Sequence, residues 1–425
     1  MSLDAAQCCR YVAAGLITAH ALADFALEQI NRRHAMRHAA AAPGDAQGLI
    51  SPAAYRTSVA YTLAKSRVNQ GAGLCATVML LLALYSGLLP WFYAEIAARW
   101  GTSVWVMAGF LFAVGLALAL TGLPWDWYVQ FHLEARFGFN TTTSSLWWTD
   151  RGKGLLLSAL LGYPLLVLLL WLGDRVGSAW WLWAWAAVVV FELVLAFLAP
   201  AVILPWFNKL TPLPAGALRD RLVSLARRTG FRAHSIQIMD GSKRSRHSNA
   251  FFAGFGRFRK IVLFDTLIQQ LTESELEAVL AHEIGHYRRR HVAKMMAVST
   301  LGLLAGFWLL AWLAQQSWFH QAFGFAAGQL AVSFLLFGLL AGTASFWLSP
   351  LFNRWLRRHE YQADAFAAAT MGEPESLSAA LRKLSESNLS NLAPHPLYSG
   401  FHYSHPTVSE RIRALQRGAA PGRSS

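Results

Sequence analysis

Residues 271–296 read LTESELEAVLAHEIGHYRRRHVAKMM, and the rest of the chain is interpreted outward from them. Thr272 and Glu275 have the spacing of a capping box, and Leu271 with Leu276 that of a hydrophobic staple, so a helix starts here. It runs through His282-Glu283-Ile284-Gly285-His286 and is expected to merge into an apolar segment near residue 295. Histidines at i and i+4 share one helical face about one turn apart. Two imidazoles so placed can hold one Zn²⁺ at roughly 2.0–2.1 Å. Glu283 then lies beside the metal without ligating it. There it can take a proton from a zinc-bound water and hand it to a leaving amine. His291 closes the basic run Tyr287-Arg288-Arg289-Arg290-His291 and reads as a surface residue near a membrane boundary, where Arg and Lys anchor a helix.

A catalytic zinc takes three protein ligands and keeps one position for water. The candidate segment is Arg357-Arg358-His359-Glu360-Tyr361-Gln362-Ala363-Asp364, on a helix spanning about 353–371 and closed by Gly372. Glu360 would complete a His₂Glu set. Asp364, one turn on, would accept a hydrogen bond from a ligand imidazole and fix its tautomer. The plainer alternative is two exposed carboxylates balancing Arg357 and Arg358. His359 is adjacent, but on a helix it points about 100° away from Glu360.

The surrounding chain is apolar. Of its 425 residues, 55% are hydrophobic and 14% charged, against about 25% charged in a soluble protein. That excludes disorder, and three cysteines (Cys8, Cys9, Cys75) exclude a disulfide scaffold. Six stretches are long and apolar enough to span a bilayer: 73–94, 103–123, 154–173, 178–204, 295–317 and 326–349. A seventh, 11–30, contains His20, Asp24 and Glu28, and its rival reading is a cleaved signal peptide. Charge decides between them. With seven spans, 34 of the 37 Lys and Arg fall on one side, which the positive-inside rule makes cytoplasmic. The N-terminus is then outside and the C-terminus inside, and the formal net charge of +14 is a topology signal. Nucleic-acid binding has no support beyond that net charge.

The expected organisation is 1–204, five membrane helices with their loops; 205–294, carrying the His-Glu-x-x-His helix; 295–349, two membrane helices; and 350–425, carrying the third ligand. The two large inside segments are expected to fold together into one cytoplasmic domain.

Other segments carry weaker signals. Asn249-Ala250-Phe251-Phe252, opening the stretch 249–256, precedes a strand at Lys260–Phe264. A strand edge beside a zinc can hold an extended peptide by backbone pairing, although an ordinary hairpin fits the pattern equally. His405 and Arg411, in HPTVSER, offer a cation-capable pair that could stabilise an oxyanion. Read alone, that segment is a turn and a helix start. His20, Asp24 and Glu192 inside spans could line an ion path, and a non-enzymatic transporter or scaffold is the competing class.

Taken together, these stretches resemble the CAAX prenyl protease type 1 family of integral-membrane zinc endopeptidases. The resemblance also rests on LEARFGFNTT (133–142), LPWFNKLTPL (204–213), DGSKRSRHSNA (240–250) and IVLFDTL (261–267). It implies a mainly α fold: a seven-transmembrane-helix barrel around a large water-filled chamber, with a zincin-like cytoplasmic part containing a small β-sheet. It implies one Zn²⁺ on His282, His286 and Glu360, with Glu283 as base. His405 and Arg411 would lie near the active site, and Asn249 and Ala250 in the substrate-strand region. It also implies peptide substrates, lipidated in eukaryotic members, which lose three residues from farnesylated CaaX ends. Quality-control membrane proteases share the chemistry with fewer spans. Residues 253–260 (AGFGRFRK) depart from the bulkier aromatic version typical of eukaryotic members, and the tail 421–425 has no retention signal. The Ala/Arg-rich, Lys-poor composition suggests a bacterial inner-membrane protein, whose substrates would then be other membrane-associated peptides.

Overall fold

The structure is a computed structural model and describes residues 4–231, 235–253 and 260–419. The departure at 253–260 falls mostly outside the described residues, as does the tail 421–425. The described residues are mainly helical, with one small mixed sheet.

Among the described residues, five helices are long and apolar enough to cross a membrane: α2 (Pro52–Tyr85), α3 (Val104–Glu134), α4 (Ser144–Arg175), α5 (Gly177–Phe207) and α7 (His291–Ala314). A sixth span is met only if α8 (Leu330–Phe346) and α9 (Ser349–Met371), bent by 63° at their break, are taken as one. The first helix, α1 (Ala5–Arg37), is long enough at 33 residues, but is not among those apolar enough to qualify. Large apolar side chains such as Trp183, Val190, Leu301 and Trp308 are exposed. The expected span 73–94 is not one straight rod. The helix ends at Tyr85, and Gly87, at φ 79°, reaches a left-handed conformation before Leu88–Trp100 begins.

A separate core lies outside the apolar helices. It joins Leu213, Leu222, Ile261, Leu276 and Ile284 to Ala367, Leu377 and Leu415, drawing on both large loop segments. Its sheet comprises β1 (Leu210–Pro212), β2 (Ser235–Met239), β3 (Ala250–Ala253) and β4 (Lys260–Phe264), in the order β1-β2-β4-β3. β2 and β4 run parallel; β3 pairs antiparallel to β4, with Phe251 opposite Val262, and forms a sheet edge. Beside it runs α6 (Glu273–Arg288), the helix of the His-Glu-x-x-His motif, and α6 packs most closely against α9.

α6 does not merge into the membrane helix. It stops at Arg288, and Arg290 turns left-handed at φ 56°, ψ 34° before α7 starts at His291. A non-glycine residue there costs roughly 1–2 kcal/mol, so surrounding contacts must hold it. The break turns α7 away from α6 and folds His291 back toward the motif.

Candidate active site

α6 begins as the sequence implies. The Thr272 hydroxyl accepts from the Glu275 backbone N–H, and the Glu275 carboxylate accepts from the Thr272 N–H. Gly285 sits where α6 and α9 touch. A Cβ there would lie 3.0 Å from the Ala363 Cα and carbonyl oxygen. This close approach brings Glu360, on α9, to the two histidines on α6.

Three donor side chains converge. His282 Nε2 and His286 Nε2 are 3.1 Å apart; Glu360 Oε1 is 3.3 Å from the second and Oε2 3.6 Å from the first. A tetrahedral ion with bonds of about 2.0–2.1 Å has ligand–ligand edges of roughly 3.3 Å, so these spacings fit one metal ion. The chemistry fits as well, since lone pairs turned toward one another are stable around a cation and repel without one. Among the described residues this is the one cluster of three His, Cys, Asp or Glu donors close enough to hold a metal.

Behind the donors lies an ionic frame. Asp364 Oδ1 is 2.8 Å from His282 Nδ1 and accepts its proton, which leaves the His282 Nε2 lone pair facing the cluster. Arg411, on α12 (Val408–Ala419), grips both Asp364 oxygens at 2.6 and 2.8 Å and lies 3.6 Å from Glu360. Burial opposes ionisation of Glu360 and Asp364. The His286 hydrogen bond and the Arg411 charge nonetheless hold Glu360 down at about 2, and Arg411 and His282 hold Asp364 well below the usual carboxylate range. Glu283 behaves in the opposite way. Burial lifts its carboxyl above the ordinary value, and the neighbouring Glu360 charge adds to the rise. A carboxyl shifted upward from its ordinary value moves toward the pH at which a general base operates, which suits proton transfer.

The donors, Glu283, His405 and the segment Asn249–Phe252 all line one cavity of about 1050 Å³. His405 Nε2 is 3.4 Å from Glu360, and its side chain is exposed to the cavity. Arg411 lines the same cavity but is committed to Asp364. Of the cation-capable pair His405 and Arg411, one is therefore exposed and the other anchored. His359 is not among the donors: it stacks on His291 at 4.0 Å.

His291 is not the surface residue that its place in a basic run suggests. It is 1% exposed, with Nδ1 3.1 Å from His286 Nδ1 and Nε2 2.9 Å from Gln362 Oε1. On an unbroken helix, a residue five positions on lies roughly 140° around the axis, so spacing gave no hint of contact. Two stretches with no assigned role also find one. Segment 133–142 meets 240–250 through the Asn140–Ser245 bridge and the Arg246 N–H to the Phe139 carbonyl. There Glu134 joins the Tyr61 hydroxyl at 2.6 Å to His247 at 3.2 Å, two residues before Asn249. The polar residues of α1 are also occupied. Glu28 accepts from Tyr398 at 3.0 Å, and Asp24 lies 3.5 Å from His402. Glu192 borders a small second cavity together with Met295, Met296 and Thr300.

Imidazole lone pairs and a carboxylate at metal-binding separation, with a second carboxylate free to move protons, are what metal-dependent peptide hydrolysis requires. In a chain this apolar, they define an integral-membrane metallopeptidase. Comparison with known proteins narrows the class. Residues 31–209 match the family described as CAAX prenyl protease N-terminal, five membrane helices, and residues 212–419 match Peptidase family M48. The CAAX prenyl protease 1 homologue of Oryza sativa is 35% identical over 91% of this chain and 92% of its own length. CAAX prenyl protease 1 of Saccharomyces cerevisiae is 38% identical over 70% of this chain and 69% of its own. The crystal structure of S. mikatae Ste24p superposes with a TM-score of 0.85 at 32% identity, covering 94% of this chain and 98% of that one. The chain belongs to the M48 peptidase family, among the CAAX prenyl protease 1 homologues. These relatives are eukaryotic, and the bacterial source inferred from composition is not borne out; an Ala/Arg-rich, Lys-poor bias reflects nucleotide content rather than lineage.

Proposed function

We propose that the chain is a zinc-dependent endopeptidase whose active site faces the cytoplasm, with one Zn²⁺ held by His282, His286 and Glu360. The observation that carries this is the convergence of those three donors beside Glu283 in the cavity that the β3 edge also lines. Zinc would supply Lewis acidity, polarising a peptide carbonyl and making water a nucleophile near neutral pH. The protein's own groups do the rest. The β3 edge, led by Asn249 and Ala250 and continued by Phe251 and Phe252, holds the peptide extended by backbone pairing. Glu283 takes the proton of the attacking water and passes it to the departing amine. His405, exposed to the cavity, donates to the carbonyl oxygen as negative charge develops there. Arg411 keeps Asp364 and Glu360 ionised and in place.

The substrate is a membrane-associated peptide with a CaaX-type C-terminus, lipidated as the names of the relatives indicate. Seven spans, with α1 as the first, put the N-terminus outside; 205–294 and 350–425 then form one cytoplasmic unit carrying the site. The test is to incubate the purified protein with CaaX peptides, farnesylated and not, with and without chelator, and to identify products by mass spectrometry. Chelator-sensitive release of a C-terminal tripeptide, faster from the farnesylated form, is expected. Equal cleavage of both forms would remove prenyl recognition, and no cleavage of either would remove the CaaX assignment.

A further inference from the structure

His291 and Gln362 form a chain that ends on a metal donor. His286 directs Nε2 at His282 and Glu360, while its Nδ1 lies 3.1 Å from His291 Nδ1. The other His291 nitrogen, Nε2, lies 2.9 Å from Gln362 Oε1. A histidine that binds metal through Nε2 carries its proton on Nδ1. That proton needs an acceptor, and the atom facing it is His291 Nδ1. A neutral His291 accepting there has its own proton on Nε2, aimed at the Gln362 amide oxygen. One proton assignment thus makes both contacts hydrogen bonds and leaves the His286 lone pair free for a cation. The ring plane of His291 is set independently by stacking on His359 at 4.0 Å and 11°.

The backbone gives a second, independent sign. Had α6 continued past Arg290, His291 would lie on another face of the helix. The left-handed Arg290 brings it under His286, and strained residues of this kind persist where the surrounding contacts require them. The two ligand histidines are therefore supported differently: His282 by the Asp364 carboxylate, His286 by a neutral imidazole and amide.

We propose that His291, oriented by Gln362, is the positioning residue that fixes the tautomer and ring plane of the metal donor His286. The inference rests on the zinc reading given above. Outer groups of this kind typically contribute 10–100-fold to metal affinity.

The test is zinc affinity of the purified full chain, by chelator competition, together with the absorption spectrum of the Co²⁺-loaded protein. His291→Phe keeps a packed ring and removes the acceptor; we expect zinc binding weakened about 10–100-fold, with an altered Co²⁺ spectrum. His291→Asn puts an amide oxygen near the Nδ1 position and should recover affinity to within about threefold of the parent. Gln362→Leu should weaken binding in the same direction as His291→Phe. Unchanged affinity in His291→Phe, or an Asn variant as weak as the Phe variant, would overturn the proposal, because His291 would then only fill space. A parent protein that binds no zinc would instead remove the metal-site reading itself, and this inference with it.

Discussion

At the residue scale, the site depends on one missing side chain as much as on those present. Gly285 lets α6 and α9 approach until Ala363 backbone atoms would lie 3.0 Å from a Cβ at that position. Those are backbone atoms of a packed helix and cannot swing aside as a flexible side chain does. Gly285→Ala should therefore push Glu360 away from His282 and His286. We expect zinc affinity to fall about 10–100-fold while the helical content measured by circular dichroism stays the same; unchanged affinity would show that the helices can yield. Much at this scale is legible in the sequence. His282, His286, Glu360 and Asp364 are pairs one turn apart on single helices, and local periodicity places such pairs without knowledge of the fold. His291 was not legible, because its contact depends on a break at an arginine, a residue type that does not mark one.

At the element scale, the N-terminus of α6 is tied to α10 (Glu375–Ser387) through Lys383 Nζ, 2.7 Å from Glu275. Burial pushes the Glu275 carboxyl up, but Lys383 and the Thr272 cap outweigh it and hold the group below its ordinary 4.5. A depressed carboxylate adds stability that is fully present above its unfolded pKa and is lost as pH falls through the folded one. Lys383→Met should therefore lower the melting temperature at neutral pH. It should also make that temperature fall less steeply than in the parent between about pH 7 and pH 3.5. Parallel melting curves across that range would show the pair to be silent. The capping box and the strand Lys260–Phe264 follow from local pattern. β1 and β2 do not: each is short, and their pairing joins segments far apart in sequence, which no local signal reports.

At the scale of the whole molecule, α1 links the membrane part to the catalytic segment. Its Glu28 accepts from Tyr398 and its Asp24 faces His402, both on α11 (Pro396–His402), three residues before His405. Two of the polar residues that made 11–30 look doubtful as a span, Asp24 and Glu28, thus face the C-terminal segment, while His20 packs on Phe346. The proposed orientation, N-terminus outside, would put the exposed Cys8 on the outer side. A membrane-impermeant maleimide added to intact cells should label Cys8 in a Cys9→Ser, Cys75→Ser background. Labelling only after permeabilisation would invert the orientation and put the zinc site on the opposite face. The proposed orientation rests on the charge distribution alone. The way the helices pack, and the cavity they share with the core around the sheet, depend on long-range contacts beyond the reach of sequence pattern.

One comparison bears most directly on the proposed chemistry. Glu283 lines the cavity beside the donors and stands outside the donor set, so Glu283→Gln should leave zinc content at one ion per chain and thermal stability near the parent value. Turnover of a cleavable peptide should fall by about 10²–10⁴-fold, the contribution typical of a general base. A zinc-loaded Glu283→Gln protein that cleaves at the parent rate would contradict the mechanism.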